Sequence, residues 1–130
     1  MGIEYRIDHA RRLVMAQGHG ILTPEDVLGY QQAVWSQPEL AGYDEPMDVT
    51  GVEQIVAPPA AGARELAHLA AEMDAGAPGS RFAIVAPSDF AYGLGRMYQA
   101  YRNLQERGTR SVGVFRSHGE AMAFLGLPAD

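Results

Sequence analysis

The side chains that most often form catalytic centres are either absent from this sequence or scattered through it. There is no cysteine, and no serine lies in a G-x-S-x-G context, so neither kind of nucleophile is indicated. The four histidines, which are His9, His19, His68 and His118, show no metal-binding spacing such as H-E-x-x-H. Of these, His19 lies between two glycines and is the candidate base. We predict a protein that is not an enzyme and that uses neither a metal nor a cofactor.

Gly93-Leu94-Gly95 is similar to part of the G-x-G-x-x-G fingerprint of dinucleotide-binding proteins. The third glycine is missing, and no acidic residue follows about 20 positions later in a strand. Each glycine inside a helix costs roughly 1 kcal/mol relative to alanine, and close packing of the helix against a sheet or another helix would offset this cost. We therefore interpret these glycines as a packing feature and not as a nucleotide site.

A group of polar and aromatic side chains falls on one predicted helix. Tyr92, Arg96 and Gln99 recur at steps of four and three, so they share a helix face. Arginine can bind carboxylate or phosphate through a fork of donors, although such a face is more often solvated, with its arginine paired to an acid. Tyr98 and Tyr101 add aromatic surface beside it, and aromatic residues and arginine are enriched at protein interfaces. We predict an interaction surface here.

The unit that positions these side chains is a buried strand followed by that helix. The apolar run from Phe82 to Ala86 does not alternate and ends at Pro87, which is typical of a strand covered on both faces in a parallel sheet. Ser88 or Asp89 can cap the helix by accepting a bond from a free backbone N–H. The apolar stripe predicted for the helix consists of Phe90, Leu94, Met97, Tyr101 and Leu104.

The remaining segments complete the predicted order β-β-α-β-α-β-α-β-α. Ile3, Tyr5 and Ile7 alternate with polar residues, which predicts a half-buried strand paired in a hairpin with residues 12–16. A helix is predicted from Thr23 to about Gln37, with Val27, Tyr30, Val34 and Trp35 facing inward. The middle of the chain is predicted to contain a loop over 39–46 and a strand over 47–50, then a helix that begins near Ala60 and ends before a linker over 74–80. The buried residues predicted for that helix are Ala63, Leu66, Ala67, Ala70 and Met73. After a C-cap at Gly108, the sequence predicts a strand over 111–115 and a short helix after Ser117. Residues 52–59 give no clear assignment.

Length, composition and charge exclude several classes of protein. The 130 residues favour one domain over 1–130, and 47% hydrophobic with 20% charged residues is ordinary globular usage. A net charge of −6 argues against a nucleic-acid partner. No apolar segment is long enough to span a bilayer, and the charged residues near the N-terminus argue against a signal peptide. We therefore expect a cytoplasmic location.

The predicted order resembles the STAS domain family, the fold of anti-sigma-factor antagonists, and in particular its SpoIIAA-like branch. The segments that carry the resemblance are Gly20-Ile21-Leu22-Thr23, Asp48-Val49-Thr50-Gly51-Val52, Ala83-Ile84-Val85-Ala86-Pro87, Tyr92-Gly93-Leu94-Gly95-Arg96-Met97-Tyr98, and Val114-Phe115-Arg116 ahead of Glu120-Ala121. The resemblance implies an α/β fold with a five-stranded mixed sheet, in which an N-terminal hairpin precedes β-α-β-α-β-α and the helices lie mainly on one face. It also implies a non-catalytic regulatory module that acts through a protein partner or a homodimer.

The resemblance further implies a candidate phosphorylation loop at Asp48, Thr50 and Gly51, where the antagonists carry an aspartate and a phosphorylatable serine or threonine. A phosphate on Thr50 would add close to two negative charges and could repel a docked partner. The alternative is that Asp48 and Thr50 satisfy backbone groups of a turn, as these residue types do where strands end. Residues 58 and 59 are both proline, which implies a longer connection than the antagonists have after this loop.

A second function, from another class, also fits the sequence. Alanine, glycine, methionine and tyrosine are concentrated in the predicted helices and could leave space unfilled between helices and sheet. The protein would then be a carrier of a small apolar ligand or lipid. A carrier should contain a largely apolar cavity, whereas an interaction module should have a filled core and an exposed apolar patch.

Overall fold

The computed structural model describes residues 2–56, 60–74, 79–104 and 110–128. The strands are β1 (Ile3–Asp8), β2 (Leu13–Gly18), β3 (Gly20–Leu22), β4 (Glu45–Asp48), β5 (Val52–Ile55), β6 (Arg81–Val85) and β7 (Ser111–Phe115). The α-helices are α1 (Pro24–Tyr30), α2 (Ala60–Asp74), α3 (Asp89–Asn103) and α4 (His118–Phe124). The predicted C-cap at Gly108, the prolines at 58 and 59, most of the predicted linker, and the side chains of Ala63 and Met73 lie outside the part that is described.

Five strands form one mixed sheet in the order β1-β2-β4-β6-β7. The hairpin pair β1 and β2 is antiparallel, and the other three pairings are parallel. β6 lies between β4 and β7, and Phe82, Ala83 and Val85 are buried. The predicted mixed sheet, with its central apolar strand between parallel neighbours, is confirmed.

Two short strands form a second sheet that the sequence pattern did not predict. β3 pairs in parallel with β5, so the residues left unassigned at 52–55 are a strand. With three and four residues, these strands are too short to show an alternating pattern. β4 was also misplaced, because it begins at Glu45 inside the predicted loop. Its residues Glu45 and Pro46 pair with Phe82 and Ala83 of β6.

α1 begins as predicted, with Thr23 as N-cap and Pro24 in the first turn. Thr23 and Asp26 form a reciprocal capping box, with the Thr23 N–H donating to Asp26 Oδ2 at 3.0 Å and the Asp26 N–H donating to Thr23 Oγ1 at 3.1 Å. The α-helix ends earlier than predicted, at Tyr30, and continues as a π-helical turn over Gln31–Trp35. This turn is one residue wider than an α-turn, so it changes which side chains face the sheet.

α3 is capped by Ser88, whose side chain accepts a hydrogen bond from the Ala91 N–H. The predicted apolar stripe on this helix is correct in its middle, where Leu94 and Met97 are half-buried, and wrong at its ends. Phe90 and Leu104 are 57% and 75% exposed, whereas Ala91, Gly95 and Arg102 are buried. Small residues bring the helix close to the sheet, and the larger apolar side chains lie beside that contact line instead of on it.

Of the described helices, α1, α2 and α3 lie on one face of the sheet and α4 on the other, so the prediction that the helices lie mainly on one face is confirmed. Phe82 and Ile84 of β6 face α1 and α3, and α2 packs against α3 on the same side. Ala83 and Val85 face the opposite side, where they contact α4. Within the described residues, none of the helices combines the length and the apolar character needed to cross a bilayer.

Candidate functional site

A largely apolar cavity of about 160 Å³ lies between the main sheet and the helices α1, α2 and α3. Val27 of α1, Leu66 of α2, Leu94 of α3 and Ile84 of β6 each contribute to its walls. The exposed residue Val56, just after β5, lies at its rim. The cavity therefore occupies the place where the sequence predicted unfilled space, between the helices and the sheet.

The close contact between α3 and the sheet sets one boundary of this cavity. A Cβ atom added at Gly95 would lie 2.8 Å from Val114 Cγ1, which is closer than real Cβ atoms approach a neighbour. Gly95 is thus required for the helix to approach β7, and the packing interpretation of this glycine is confirmed. An added Cβ at Gly93 would meet nothing within 4 Å, so no close contact explains that glycine.

Aromatic rings from the sheet, α1, the π-helical turn and α3 form a continuous edge-to-face array beside the cavity. The rings are those of Tyr5, Tyr30, Trp35, Phe82 and Tyr98, with successive centroids 5.9, 6.2, 5.4 and 6.4 Å apart. The last four of these residues also line the cavity. Edge-to-face pairs each contribute about 0.5–1.5 kcal/mol beyond their burial. The rings that line the cavity are therefore held by contacts with one another as well as by burial.

A buried carboxylate fixes two of these rings. Glu45 is 1% exposed, and it accepts hydrogen bonds from Tyr30 Oη at 2.6 Å and from Trp35 Nε1 at 2.7 Å. Arg110 Nη1 lies 3.3 Å from Glu45 Oε1, and its guanidinium stacks over the rings of Trp35 and Phe82. Because each donor meets an acceptor, Glu45 fixes the orientation of both rings.

The electrostatics of this group follow from its burial. Burial raises the pKa of Glu45, while the charge of Arg110 and the hydrogen bonds from Tyr30, Trp35 and Arg110 act in the opposite direction. The pKa of Tyr30 is raised above its ordinary value, first by burial and then by the charge of Glu45. The Tyr30 hydroxyl consequently keeps its proton and remains a donor to Glu45.

Gln31 is the buried polar residue in the wall of the cavity. It is 1% exposed, and its Nε2 lies 3.5 Å from Tyr98 Oη. Tyr98 Oη also accepts a hydrogen bond from Arg102 Nη1 at 2.9 Å. In the described part of the chain, Gln31 Oε1 has no hydrogen-bond partner. A buried acceptor without a donor is uncommon in folded proteins and calls for an explanation.

The predicted phosphorylation loop follows β4 and borders the cavity through Val49, whereas Asp48, Thr50 and Gly51 do not line it. Thr50 is exposed, and its backbone N–H donates to Asp48 Oδ1 at 2.8 Å. This is the turn hydrogen bond that the alternative interpretation predicts for Asp48. Gly51 lies beside the backbone of Gly18 and the ring of His19.

The residues of the predicted interaction surface are divided among several places. Arg96 Nη1 donates to Tyr92 Oη at 3.3 Å, and the guanidinium of Arg116 lies 4.2 Å from the centroid of the Tyr92 ring. Gln99 instead donates to the Val112 carbonyl at 2.7 Å. Tyr98 lines the cavity, and the Tyr101 ring faces the guanidinium of Arg64. Tyr92 and Arg96 are thus brought together, while the other three have separate contacts.

The histidines predicted as candidates have ordinary surroundings. His19, the candidate base, is about half exposed and lies 3.4 Å from the exposed carboxylate of Glu4. His68 lies 3.5 Å from Glu72 on α2, and His9 Nδ1 lies 2.8 Å from Tyr43 Oη. Among the described residues, no group of three or more metal-ligating side chains is close enough to hold a metal ion.

Sequence reasoning missed the three residues that organise this site, which are Gln31, Glu45 and Arg110. Gln31 was placed on a regular helix and Glu45 in a loop, and Arg110 was not singled out. Glu45 is 15 positions from Tyr30 and 65 positions from Arg110. A contact between residues so far apart leaves no local periodic pattern in one sequence. The unpaired Gln31 oxygen becomes visible only after the π-helical turn is known.

The fold and the site together define an α/β protein with a mixed sheet, a two-stranded side sheet and an apolar cavity beneath its helices. The chain is similar to an uncharacterised protein of the DUF3478 family from Shewanella loihica PV-4, whose crystal structure has a SpoIIAA-like fold. The TM-score is 0.58 and the identity 18%, and the match covers 95% of this chain and 93% of that one. The predicted SpoIIAA-like fold is therefore confirmed. Neither a family model nor a curated protein matches the chain.

Proposed function

We propose that this protein binds a small apolar molecule in the cavity between the sheet and α1, α2 and α3. The observation that carries the proposal is the cavity itself, with about 160 Å³ of space and no charged side chain among the described residues that line it. An engineered cavity of about 150 Å³ in another protein stays dry and binds benzene. One aromatic ring, or an aliphatic group of similar size, therefore matches the space available.

The free-energy cost of the cavity supports the same conclusion. The cavity is partly open to solvent, so its apolar walls remain in contact with water, and covering such surface is worth about 25 cal/mol per Å². Core side chains normally close such a space. Here the walls are held open by the aromatic array and by the hydrogen bonds of Glu45. A bound apolar group would pack against the walls of the cavity and remove their apolar surface from water.

The experiment is thermal unfolding and calorimetric titration with benzene and toluene. A ligand present at a hundred times its Kd adds about 2.7 kcal/mol of stability, which raises the Tm of a chain of this size by several degrees. The variants Val27→Phe and Leu66→Phe fill the cavity and should abolish the rise. Ile21→Phe is the matched control, because Ile21 is exposed and does not line the cavity. If neither ligand binds the wild type, or if both cavity-filling variants bind as the wild type does, the proposal is refuted.

A second candidate function is the binding of a second copy of this chain or another protein. It is supported by the exposure of Phe90, by the neighbouring group of Tyr92, Arg96 and Arg116, and by the exposed position of Thr50. Sedimentation over a range of concentrations tests the homodimer, and Phe90→Ser should shift the protein toward the monomer. A wild type that stays monomeric at the highest concentration would exclude the homodimer.

A further inference from the structure

We propose that the outer edge of β1 pairs with the same edge of a second copy of this chain, antiparallel and about a two-fold axis, so that two five-stranded sheets form one continuous sheet. The inference rests on the second candidate function, because it names the surface through which two copies meet. That surface is separate from the group around Phe90. β1 and β7 lie at opposite ends of the sheet, and α3, which carries Phe90, contacts β7.

The outer edge of β1 is long, regular and open. β1 is terminal in the order β1-β2-β4-β6-β7, and no strand of the described chain pairs with its outer edge. All six of its residues pair with β2 without a bulge, and none of them is proline or lysine. Edge strands are normally shortened, bulged or interrupted by such residues, because an open edge offers its backbone groups to another strand.

The backbone of β1 directs hydrogen-bonding groups outward at alternate residues. The His19 N–H donates to the Gly2 carbonyl at 2.8 Å, which makes these two residues a hydrogen-bonded pair of the hairpin. Because such pairs alternate along an antiparallel ladder, the N–H and C=O groups of Ile3, Tyr5 and Ile7 point away from β2. In a pairing centred on Tyr5, Ile3 of each copy lies opposite Ile7 of the other, and about six hydrogen bonds form between the chains.

Charged side chains on an edge strand normally discourage pairing, but those of β1 are complementary to an inverted copy. Glu4, Arg6 and Asp8 share the face of β1 that points away from the cavity. Asp8 is held by Arg11, whose Nε lies 2.8 Å from Asp8 Oδ2. Glu4 lies 3.4 Å from His19. Arg6 is exposed and forms no ion pair with any described residue, so a second copy would supply its carboxylate.

These charges also select the register of the pairing. The two strands overlap most when the pairing is centred on Tyr5 or on Arg6. Centred on Tyr5, Arg6 of each copy lies opposite Glu4 of the other, and the two Tyr5 side chains lie opposite each other. Centred on Arg6, the two guanidiniums lie opposite each other and Glu4 faces Asp8. Opposite charges and aromatic pairs across the strands stabilise a sheet, whereas like charges destabilise it, so the pairing is centred on Tyr5.

The test is a charge exchange, measured by sedimentation over a range of concentrations. Arg6→Glu places carboxylates opposite each other on both sides of the two-fold axis, and we expect it to weaken the dimer about tenfold. Adding Glu4→Arg makes each opposite pair complementary again and should restore the affinity of the wild type. Arg64→Glu is the matched control, because it changes the charge equally at an exposed site on α2. Glu4 and Arg6 are exposed as well, so we expect these variants to fold.

Tyr5→Cys provides a second measurement that does not depend on charge. The chain has no cysteine, and the Cα atoms of a hydrogen-bonded antiparallel pair lie about 5.5 Å apart, a separation that a disulfide spans. Under mild oxidation, Tyr5→Cys should therefore form a covalent dimer faster than Phe90→Cys, whose site on α3 is exposed. A faster reaction of Phe90→Cys would assign the contact to α3 and overturn the inference.

The outcomes separate this inference from the proposed functions. A wild type that stays monomeric at the highest concentration overturns the inference and excludes the homodimer, while toluene binding in the cavity is unaffected. If the wild type dimerises but Arg6→Glu weakens the dimer no more than Arg64→Glu does, the copies meet through another surface. The second candidate function then remains, and only the role of β1 is refuted. A double variant that stays as weak as Arg6→Glu would refute the register centred on Tyr5.

Discussion

Replacing Glu45 by glutamine should destabilise the fold far more than a change of one atom suggests. The carboxylate accepts hydrogen bonds from Tyr30, Trp35 and Arg110 at 2.6, 2.7 and 3.3 Å. A glutamine side chain keeps one acceptor oxygen but presents an NH₂ group to the remaining donors. It also removes the charge of Glu45 from beside the guanidinium of Arg110, whose side chain is 9% exposed.

The expected loss in the free energy of unfolding depends on the buried charge of Arg110, which remains in the variant. Removing one partner of a buried ion pair costs about 3–5 kcal/mol, because an uncompensated charge stays in the interior. Since the glutamine oxygen still accepts one hydrogen bond, we expect Glu45→Gln to lower the free energy of unfolding by about 3 kcal/mol, at the lower end of that range. A domain of this kind has a total stability of about 5–15 kcal/mol, so the loss is readily measured.

Urea unfolding followed by the fluorescence of Trp35, the single tryptophan, measures this free energy. Glu4→Gln is the matched control: the Glu4 side chain is 78% exposed, and we expect a change within about 0.5 kcal/mol. Adding Arg110→Met to Glu45→Gln should recover part of the loss, because the buried charge is then gone. A loss below about 1 kcal/mol in Glu45→Gln would refute the view that these groups form a buried, mutually dependent set.

Two further predictions concern the helices. Gly93→Ala should raise the free energy of unfolding by up to about 1 kcal/mol, as expected for alanine in an open helix position, whereas Gly95→Ala should lower it, because its Cβ would lie 2.8 Å from Val114 Cγ1. Equal effects of the two substitutions in urea unfolding would contradict the close contact. Asp26→Ala should cost about 1 kcal/mol at pH 7 through loss of the capping box. Hydrogen bonding by Thr23 lowers the pKa of Asp26 below 3.8, so the wild type should lose this advantage as pH falls through that lower pKa. A gap between wild type and Asp26→Ala that stays constant down to pH 2 would be inconsistent with this assignment.

The sequence predicts the sheet well because a central parallel strand leaves a strong local pattern. The unalternated run from Phe82 to Ala86 could be recognised without any knowledge of its neighbours. The caps were equally local, since Thr23, Ser88 and Ser117 each accept a backbone hydrogen bond three residues ahead. The resemblance to STAS domains implied a five-stranded mixed sheet, but the order β1-β2-β4-β6-β7 was not predicted, because local patterns do not determine which strands become neighbours.

The buried face of α3 could not be predicted by the same reasoning. A hydrophobic stripe selects the largest apolar side chains, but a helix that lies close to a sheet presents its smallest residues to it. Ala91 and Gly95 therefore face the sheet, while Phe90 and Leu104 are exposed. The residues of the predicted interaction surface are separated for the same reason. The face of α3 that packs against the sheet differs from the predicted one, so Tyr98 lies at the cavity and Gln99 lies against the backbone of β7.

The cavity and the buried Glu45 group explain each other. A charged pair in the interior is a poor source of stability, because desolvation offsets much of its attraction, and apolar walls that remain in contact with water are unfavourable as well. Their combination is understandable if Glu45 keeps the rings of Tyr30 and Trp35 in place around a space that a ligand fills. Glu45→Gln should then weaken toluene binding even in conditions where the variant is fully folded, because the freed rings can move into the cavity. Unchanged affinity in the folded variant would show that the walls keep their shape without the carboxylate.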